Sequence, residues 1–204
     1  LADGTLLSPA STESPEQPSK WRIHFERSAD NGKTWSLVQL PAATGTPIDA
    51  IQPSILIHGA GRLQAVGRTR SERVFETWSA DAGKTWSPMT LTVLPNPSAG
   101  TDAVTLADGR HLIVYNHTPK GRTPLNVAVS RDGKLWEAAL VLENEPGEYS
   151  YPAVIQTPDG LVHVTYTWKR LPIKHVVIDP TRLQTLPMPD GNWPATAGAP
   201  DVKR

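Results

Sequence analysis

Two arginines, one tyrosine and a few carboxylates are the residues of this 204-residue chain best suited to chemistry. Arg68 ends a predicted strand in Ala65-Val66-Gly67-Arg68-Thr69-Arg70, and Arg122 precedes another in Lys120-Gly121-Arg122-Thr123-Pro124-Leu125. A guanidinium meets a carboxylate with two parallel charge-assisted hydrogen bonds. Each arginine also reads as an ordinary solvated loop residue, and Arg70 rivals Arg68. Tyr151 opens a strand, with Tyr149 as the nearby alternative; the competing reading is an aromatic packed at a strand end. A phenol, with a pKa of about 10, acts as a nucleophile only when a neighbouring carboxylate takes its proton. Glu13, Glu26, Asp49 and Asp102 are the available acids. Glu13 follows Ser11-Thr12, a small-residue setting suited to a pocket mouth, and otherwise reads as a solvated loop carboxylate. His24 and Glu26 stand two apart in a strand and so share a face; they either line the centre of the fold or are structural. Asn116-His117 ends a strand and points the same way.

Other chemistries are not signalled. The six histidines (24, 58, 111, 117, 163 and 175) match no metal-ligand spacing, and there is no cysteine. No Gly-rich phosphate loop, HExxH or GxSxG is present. No cofactor and no metal are expected.

The elements that position these residues come from a repeat. Ser28-Ala29-Asp30-Asn31-Gly32-Lys33-Thr34-Trp35 returns at 79–86 as Ser79-Ala80-Asp81-Ala82-Gly83-Lys84-Thr85-Trp86, and in shortened form at 130–136 as Ser130-Arg131-Asp132-Gly133-Lys134-Leu135-Trp136. The serines are 51 residues apart (79 − 28 and 130 − 79). Ser and Asp side chains accept hydrogen bonds from turn amides, Gly supplies positive φ, and Trp anchors the next strand. The motif is therefore read as a structural clamp in a hairpin turn rather than as a catalytic element. Asp108-Gly109 and Asp159-Gly160 keep the same period, and between the turns lie β-branched strands such as Leu112-Ile113-Val114-Tyr115 and Leu125–Val129. Four strands in about 50 residues make a propeller blade. The expected fold is all-β, a propeller of four-stranded antiparallel blades over 1–186, with a Pro-rich tail over 187–204. The fourth unit carries Asp179-Pro180-Thr181-Arg182 where a clamp would fall. No amphipathic helix is found; Pro15 and Pro18 break the stretch from Glu13 to Lys20.

Bulk properties narrow the partners. Lys+Arg and Asp+Glu are 20 each, with no long single-sign run. That argues against nucleic acid or an anionic membrane. No apolar run approaches the roughly 20 residues that span a bilayer. The chain opens on Leu1-Ala2-Asp3-Gly4, a strand-turn phrase that recurs at 106–109, so the start reads as mid-domain.

The clamp resembles the Asp-box of sialidase-like β-propellers. Longer phrases are similar to the bacterial "predicted neuraminidase" group of Asp-box proteins: Gly4–Glu13, Trp21–Ser28, Glu148-Tyr149-Ser150-Tyr151-Pro152 and Tyr166–Arg170 leading to Ile173-Lys174-His175. The resemblance implies a six-bladed plan of which this chain holds the later four blades. The first arginine of the sialidase triad and the acid/base Asp would then lie in the earlier blades. Arg68 and Arg122 look like the second and third triad arginines. Tyr151 resembles the nucleophile, eight residues before the Asp159-Gly160 turn (159 − 151). The glutamate that activates this tyrosine in sialidases would fall at position 52, which is Gln52, and an amide cannot act as a base. The implied function is exo-hydrolysis of an acidic or other terminal sugar from a glycoconjugate. The alternatives are a same-fold glycosidase with another sugar, using Glu13 or another acid, and a non-catalytic carbohydrate- or protein-binding propeller. The compartment stays open among secreted, periplasmic and cytoplasmic. Four blades of a six-blade plan imply self-association through uncovered sheet faces.

Overall fold

The computed structural model describes residues 1–42 and 45–195. It contains four antiparallel sheets in chain order. The first is β1 (Leu6–Glu13), β2 (Trp21–Ser28) and β3 (Ser36–Gln39). The second is β4 (Ala50–Ile57), β5 (Leu63–Thr69), β6 (Arg73–Ser79) and β7 (Thr90–Pro95). The third is β8 (Asp102–Thr105), β9 (His111–Tyr115), β10 (Leu125–Ser130) and β11 (Trp136–Glu143). The fourth is β12 (Tyr149–Gln156), β13 (Val162–Trp168) and β14 (Ile173–Ile178). The only helical pieces described are two short 3-10 turns.

Successive sheets stack through their first strands, β4 against β1, β8 against β4 and β12 against β8, without closing a ring. Each seam holds its own core. Ile23 and Phe25 meet Leu63 and Phe75; Leu56, Val66 and Val74 meet Ile113 and Tyr115; Leu112, Val114 and Leu125 meet Tyr149, Val164 and Tyr166. Burial follows from this stacking. β5, β9 and β10 lie between neighbours and are buried along their whole length, whereas β2 and β12 alternate because one face of each end sheet is open. Leu37 on the first sheet and Ile155, Ile173 and Val177 on the fourth are exposed on those faces.

The Asp-boxes fold as read. Each joins the last two strands of its sheet: β2–β3, β6–β7 and β10–β11. In the second, Ser79 Oγ donates to Asp81 Oδ1 (2.8 Å) and accepts from Gly83 N (2.9 Å), while Asp81 accepts from Thr85 N (2.9 Å) and Thr85 Oγ1 (2.6 Å). The first repeats these bonds residue for residue, and in the shortened third Asp132 accepts from Lys134 N and Leu135 N instead. Thr34 and Thr85 pull the Asp30 and Asp81 carboxyls down to about 2. The tryptophans reach back one sheet. Trp86 stacks on Phe25 of β2 (centroids 3.9 Å, planes 10° apart), and Trp136 packs with Leu56, Val66 and Val74. Trp86 and Trp136 are 6% and 5% exposed, but Trp35 is 49% exposed, with no sheet of the described chain behind it.

Two expectations are corrected. The chain does not leave as a tail after Leu186: β15 (Leu186–Pro187) pairs antiparallel with β11, Met188 is buried, and Trp193 meets the His117 ring at 5.2 Å. Pro180 begins a 3-10 turn capped by Asp179, so the chain leaves the fourth sheet and adds a fifth strand to the third. Residues 196–204 of the expected tail lie outside the described residues. His117 thus faces this C-terminal segment and bonds Tyr115 Oη (2.5 Å), so it lines no central space.

Between the second and third sheets runs a polar chain. His111 Nδ1 meets Thr105 Oγ1 (3.0 Å), its Nε2 meets His58 (3.1 Å), and His58 meets Gln64 (3.2 Å). Gln64 donates to Glu76 (2.9 Å), which also holds Lys134 (2.9 Å) and Trp78 Nε1 (2.9 Å). Burial lowers the His58 pKa and takes His111 and His117 to about 4.

Two outcomes follow. Trp86→Ala should destabilise the chain by about 3–5 kcal/mol in urea, and Trp35→Ala by no more than about 1 kcal/mol; equal losses would refute the seam assignment. These histidines bind fewer protons folded than unfolded. Their stabilisation is therefore complete above 6.5 and lost as pH falls toward 4. The depressed Asp30 and Asp81 add a second loss, between 3.8 and 2. Tm against pH should show both stages, with the upper one smaller in His111→Gln; a flat Tm across the upper range would contradict it.

Candidate active site

The first strands of the second and fourth sheets carry the same irregularity. Register slips between Ile51 and Ser54 in β4 and between Ser150 and Ala153 in β12. At each bulge a non-glycine residue before proline takes positive φ: Gln52 at 57° before Pro53, Tyr151 at 53° before Pro152. Such a backbone costs about 1–3 kcal/mol, and strain of this kind collects at functional sites. Both strained side chains line one cleft of about 260 Å³, with Ser54, Thr101, Asp102 and Gly100. Two glycines make this possible. A Cβ on Gly67 would lie 2.8 Å from Gln52 O and 2.7 Å from the Phe75 ring, so only glycine lets the bulge approach β5. A Cβ on Gly100 would meet Tyr151 Cδ1 at 3.2 Å and Gln52 Oε1 at 3.4 Å.

The arginines reach Tyr151 from two sheets. Arg68, in β5, is 9% exposed, with Nη1 on Ser98 O (3.3 Å), its guanidinium 4.9 Å from the Trp21 ring, and Nε buried without a partner. Burial lowers its pKa, Arg122 pushes the same way, and Tyr151 and Glu13 oppose. Arg122 lies over the Tyr151 ring at 5.5 Å, and its buried Nη1 has no partner. Asn116 holds the Arg122 loop, its buried amide donating to Arg122 O (3.0 Å), Pro124 O (3.0 Å) and Tyr149 O (3.1 Å). Arg70 instead covers Trp21 (3.9 Å) and bonds Ser19 (3.0 Å).

The acids divide by role. Asp102 is in the cleft, but both its oxygens are occupied: Oδ1 accepts from Ser54 Oγ (2.7 Å) and Ala103 N (2.9 Å), and Oδ2 accepts from Val154 N (2.8 Å). Glu13 ends β1 and accepts from Trp21 Nε1 (3.1 Å), beside Arg68. Asp49 holds Arg22 at 2.9 Å. Among the described residues no carboxylate is hydrogen-bonded to the Tyr151 hydroxyl, and Tyr151 is 53% exposed. No three His, Asp or Glu of the described residues gather as a metal set.

Two readings are corrected here. His24 and Glu26, 3.8 Å apart, stand on the open face of β2, the middle strand of its sheet, and line no part of the cleft. Tyr149 is fully buried in the seam between the third and fourth sheets, and burial raises its pKa. Sequence reasoning missed Glu148 and Arg170. Arg170 Nε donates to Glu148 Oε2 at 2.7 Å, and Glu148 Oε1 stands 3.9 Å from Arg122 Nε. No local signal marks that pair; the bulges at Gln52 and Tyr151 did carry one, Pro53 and Pro152, each the fourth residue of its strand, because proline within a strand marks a bulge or an edge.

Gly100→Val should displace Tyr151 and Gln52 and close the cleft while leaving the seams intact. A crystal structure with both side chains unmoved would refute the packing argument.

Residues 1–164 match the model of the BNR repeat-like domain. The chain is 25% identical to an anhydrosialidase from Macrobdella decora over 190 residues, 82% of this chain and 24% of that protein. The intramolecular trans-sialidase of Ruminococcus gnavus, solved with oseltamivir carboxylate, superposes with a TM-score of 0.69 at 20% identity, covering 90% of this chain and 42% of that one. A protein of unknown function from Dyadobacter fermentans superposes with a TM-score of 0.66 at 23% identity, covering 81% and 46%. These structures share the fold, and the chain spans less than half the length of each of these relatives. With 164 of 204 residues matched, the chain belongs to the BNR repeat-like domain family.

Proposed function

We propose that the cleft is the sugar site of a sialidase-like glycoside hydrolase acting on a terminal acidic sugar. The observation that carries this is the convergence of two guanidiniums on Tyr151, Arg68 beside it and Arg122 5.5 Å over its ring. Two like charges brought together are unfavourable, and a ligand carboxylate would pair with both. Tyr151 would then stand at the ring, placed for attack on the anomeric carbon as the tyrosine of sialidases is. The names of the relatives support the same class. Proton acceptance is the weak link, since Gln52 lines the cleft where a base would help and Glu13 bonds Trp21.

That weakness favours a second reading, a site that binds an acidic sugar without cleaving it. One experiment separates the two. The full-length protein is assayed for turnover of a fluorogenic sialoside, a uronide and neutral glycosides, and for binding of the free sugars. Arg122→Ala should weaken acidic ligands roughly 10–100-fold and leave neutral ones alone. Under the hydrolase reading Tyr151→Phe abolishes turnover, and undiminished turnover rejects it. Under the binding reading the wild type binds without turnover.

A further inference from the structure

The loop joining β13 and β14 is a tight turn over residues 168–171, closed by Leu171 N on Trp168 O (3.0 Å), with Trp168 N on Pro172 O (2.9 Å) just outside it. Its central residues, Lys169 and Arg170, have φ of 50° and 55°. Such turns ordinarily use Asn-Gly, because both central positions are left-handed. Here two long cationic residues accept that conformation beside the cleft. Lys169 N donates to Glu148 O (2.8 Å), fixing the turn against the start of β12. Arg170 then reaches Glu148 Oε2 at 2.7 Å, while the other carboxylate oxygen stays 3.9 Å from Arg122 Nε, beyond hydrogen-bond range. Ser150 Oγ, at 3.4 Å, also turns toward that oxygen.

We infer that Arg170 is a positioning residue that sets the anion affinity of the cleft: it binds Glu148 away from Arg122, leaving the Arg122 guanidinium free for a ligand carboxylate. Glu148 lies between two arginines and can pair fully with one. Without Arg170 its nearest cation is Arg122, and a charge-assisted pair would form there, quenching the group that lies over Tyr151. The strained turn is then retained for the side chain it presents rather than for its backbone.

The sugar-binding arm rests on the reading of the cleft as an acidic-sugar site; the spectroscopic arm does not. In Arg170→Ala, whose alanine keeps an L side chain at the same φ, the Arg122 Nε–Hε NMR resonance should shift and exchange more slowly as Glu148 closes on it. Binding of N-acetylneuraminic acid should weaken roughly tenfold, about one charge-assisted hydrogen bond. Arg170→Ala/Glu148→Gln should recover most of that loss. Lys169→Asn/Arg170→Gly relieves the turn, so it should melt no lower than wild type yet lose the same affinity. An unchanged Arg122 resonance in Arg170→Ala overturns the inference, as does a double variant as weak as the single one, or affinity and Tm falling together in the turn variant. If the wild type binds no carboxylated sugar, the acidic-sugar reading fails, and the Arg122 resonance still decides the role of Arg170.

Discussion

One carboxylate holds the centre of this structure. Asp102, at the start of β8, accepts from Ser54 of β4 and from the backbone of Val154 in β12. It thereby ties together the first strands of three successive sheets, and each of them contributes to the cleft: Gln52 and Ser54 from the second, Asp102 itself from the third, Tyr151 from the fourth, with Arg68 and Arg122 beside Tyr151. Convergence of residues far apart in sequence requires this cross-strand fastening. Hydrogen bonds to a charged group contribute roughly 1.5–3 kcal/mol, more than neutral ones. The same occupancy removes Asp102 from the set of free bases, since a carboxylate with both oxygens committed to structure is poorly placed to accept a proton from Tyr151.

The Asp-boxes do different work on the outer hairpins. They satisfy their turn amides locally and send a tryptophan into the seam behind. Apolar burial at the seams supplies most of the cohesion, and each seam is the job of two neighbouring sheets. The pair of half-buried His58 and buried His111 lies in one of these seams, so acid loosens a sheet-to-sheet joint rather than the cleft itself.

What could be read in advance was local or periodic. The 51-residue repeat located the clamps, their internal bonds and the strands between them, because each depends on residues within one hairpin. Arg68, Arg122 and Tyr151 occupy different positions of their repeats, a second strand, a loop before a third strand and a first strand, and stand near one another because these sheet ends share one side of the stack. Alternation along a single strand was less informative. His24 and Glu26 do share a face, but that face belongs to an end sheet and looks outward. Neither the return of Leu186–Pro187 to β11 nor the Glu148–Arg170 pair has a local signature; both depend on where a turn delivers the chain. The left-handed Gln52 and Tyr151 were hidden by the ordinary rule that residues before proline are extended.

The absence of an acid at position 52 matters for more than proton transfer. Arg68, Arg122 and Arg170 all act on Tyr151, while Glu13 stands by Arg68, Glu148 by Arg122 and Arg170, and Asp102 lines the cleft, three cations against three anions. A glutamate at position 52 would leave this set one charge negative, whereas Gln52 keeps it balanced. In a half-desolvated cleft one more anion would oppose a ligand carboxylate directly, because unit charges interact far more strongly there than in bulk water. The neutral amide therefore trades a base for the absence of that repulsion. On the proposed reading the cleft of this chain is organised first to hold a carboxylate, and any bond cleavage must draw its proton acceptor from a group other than position 52.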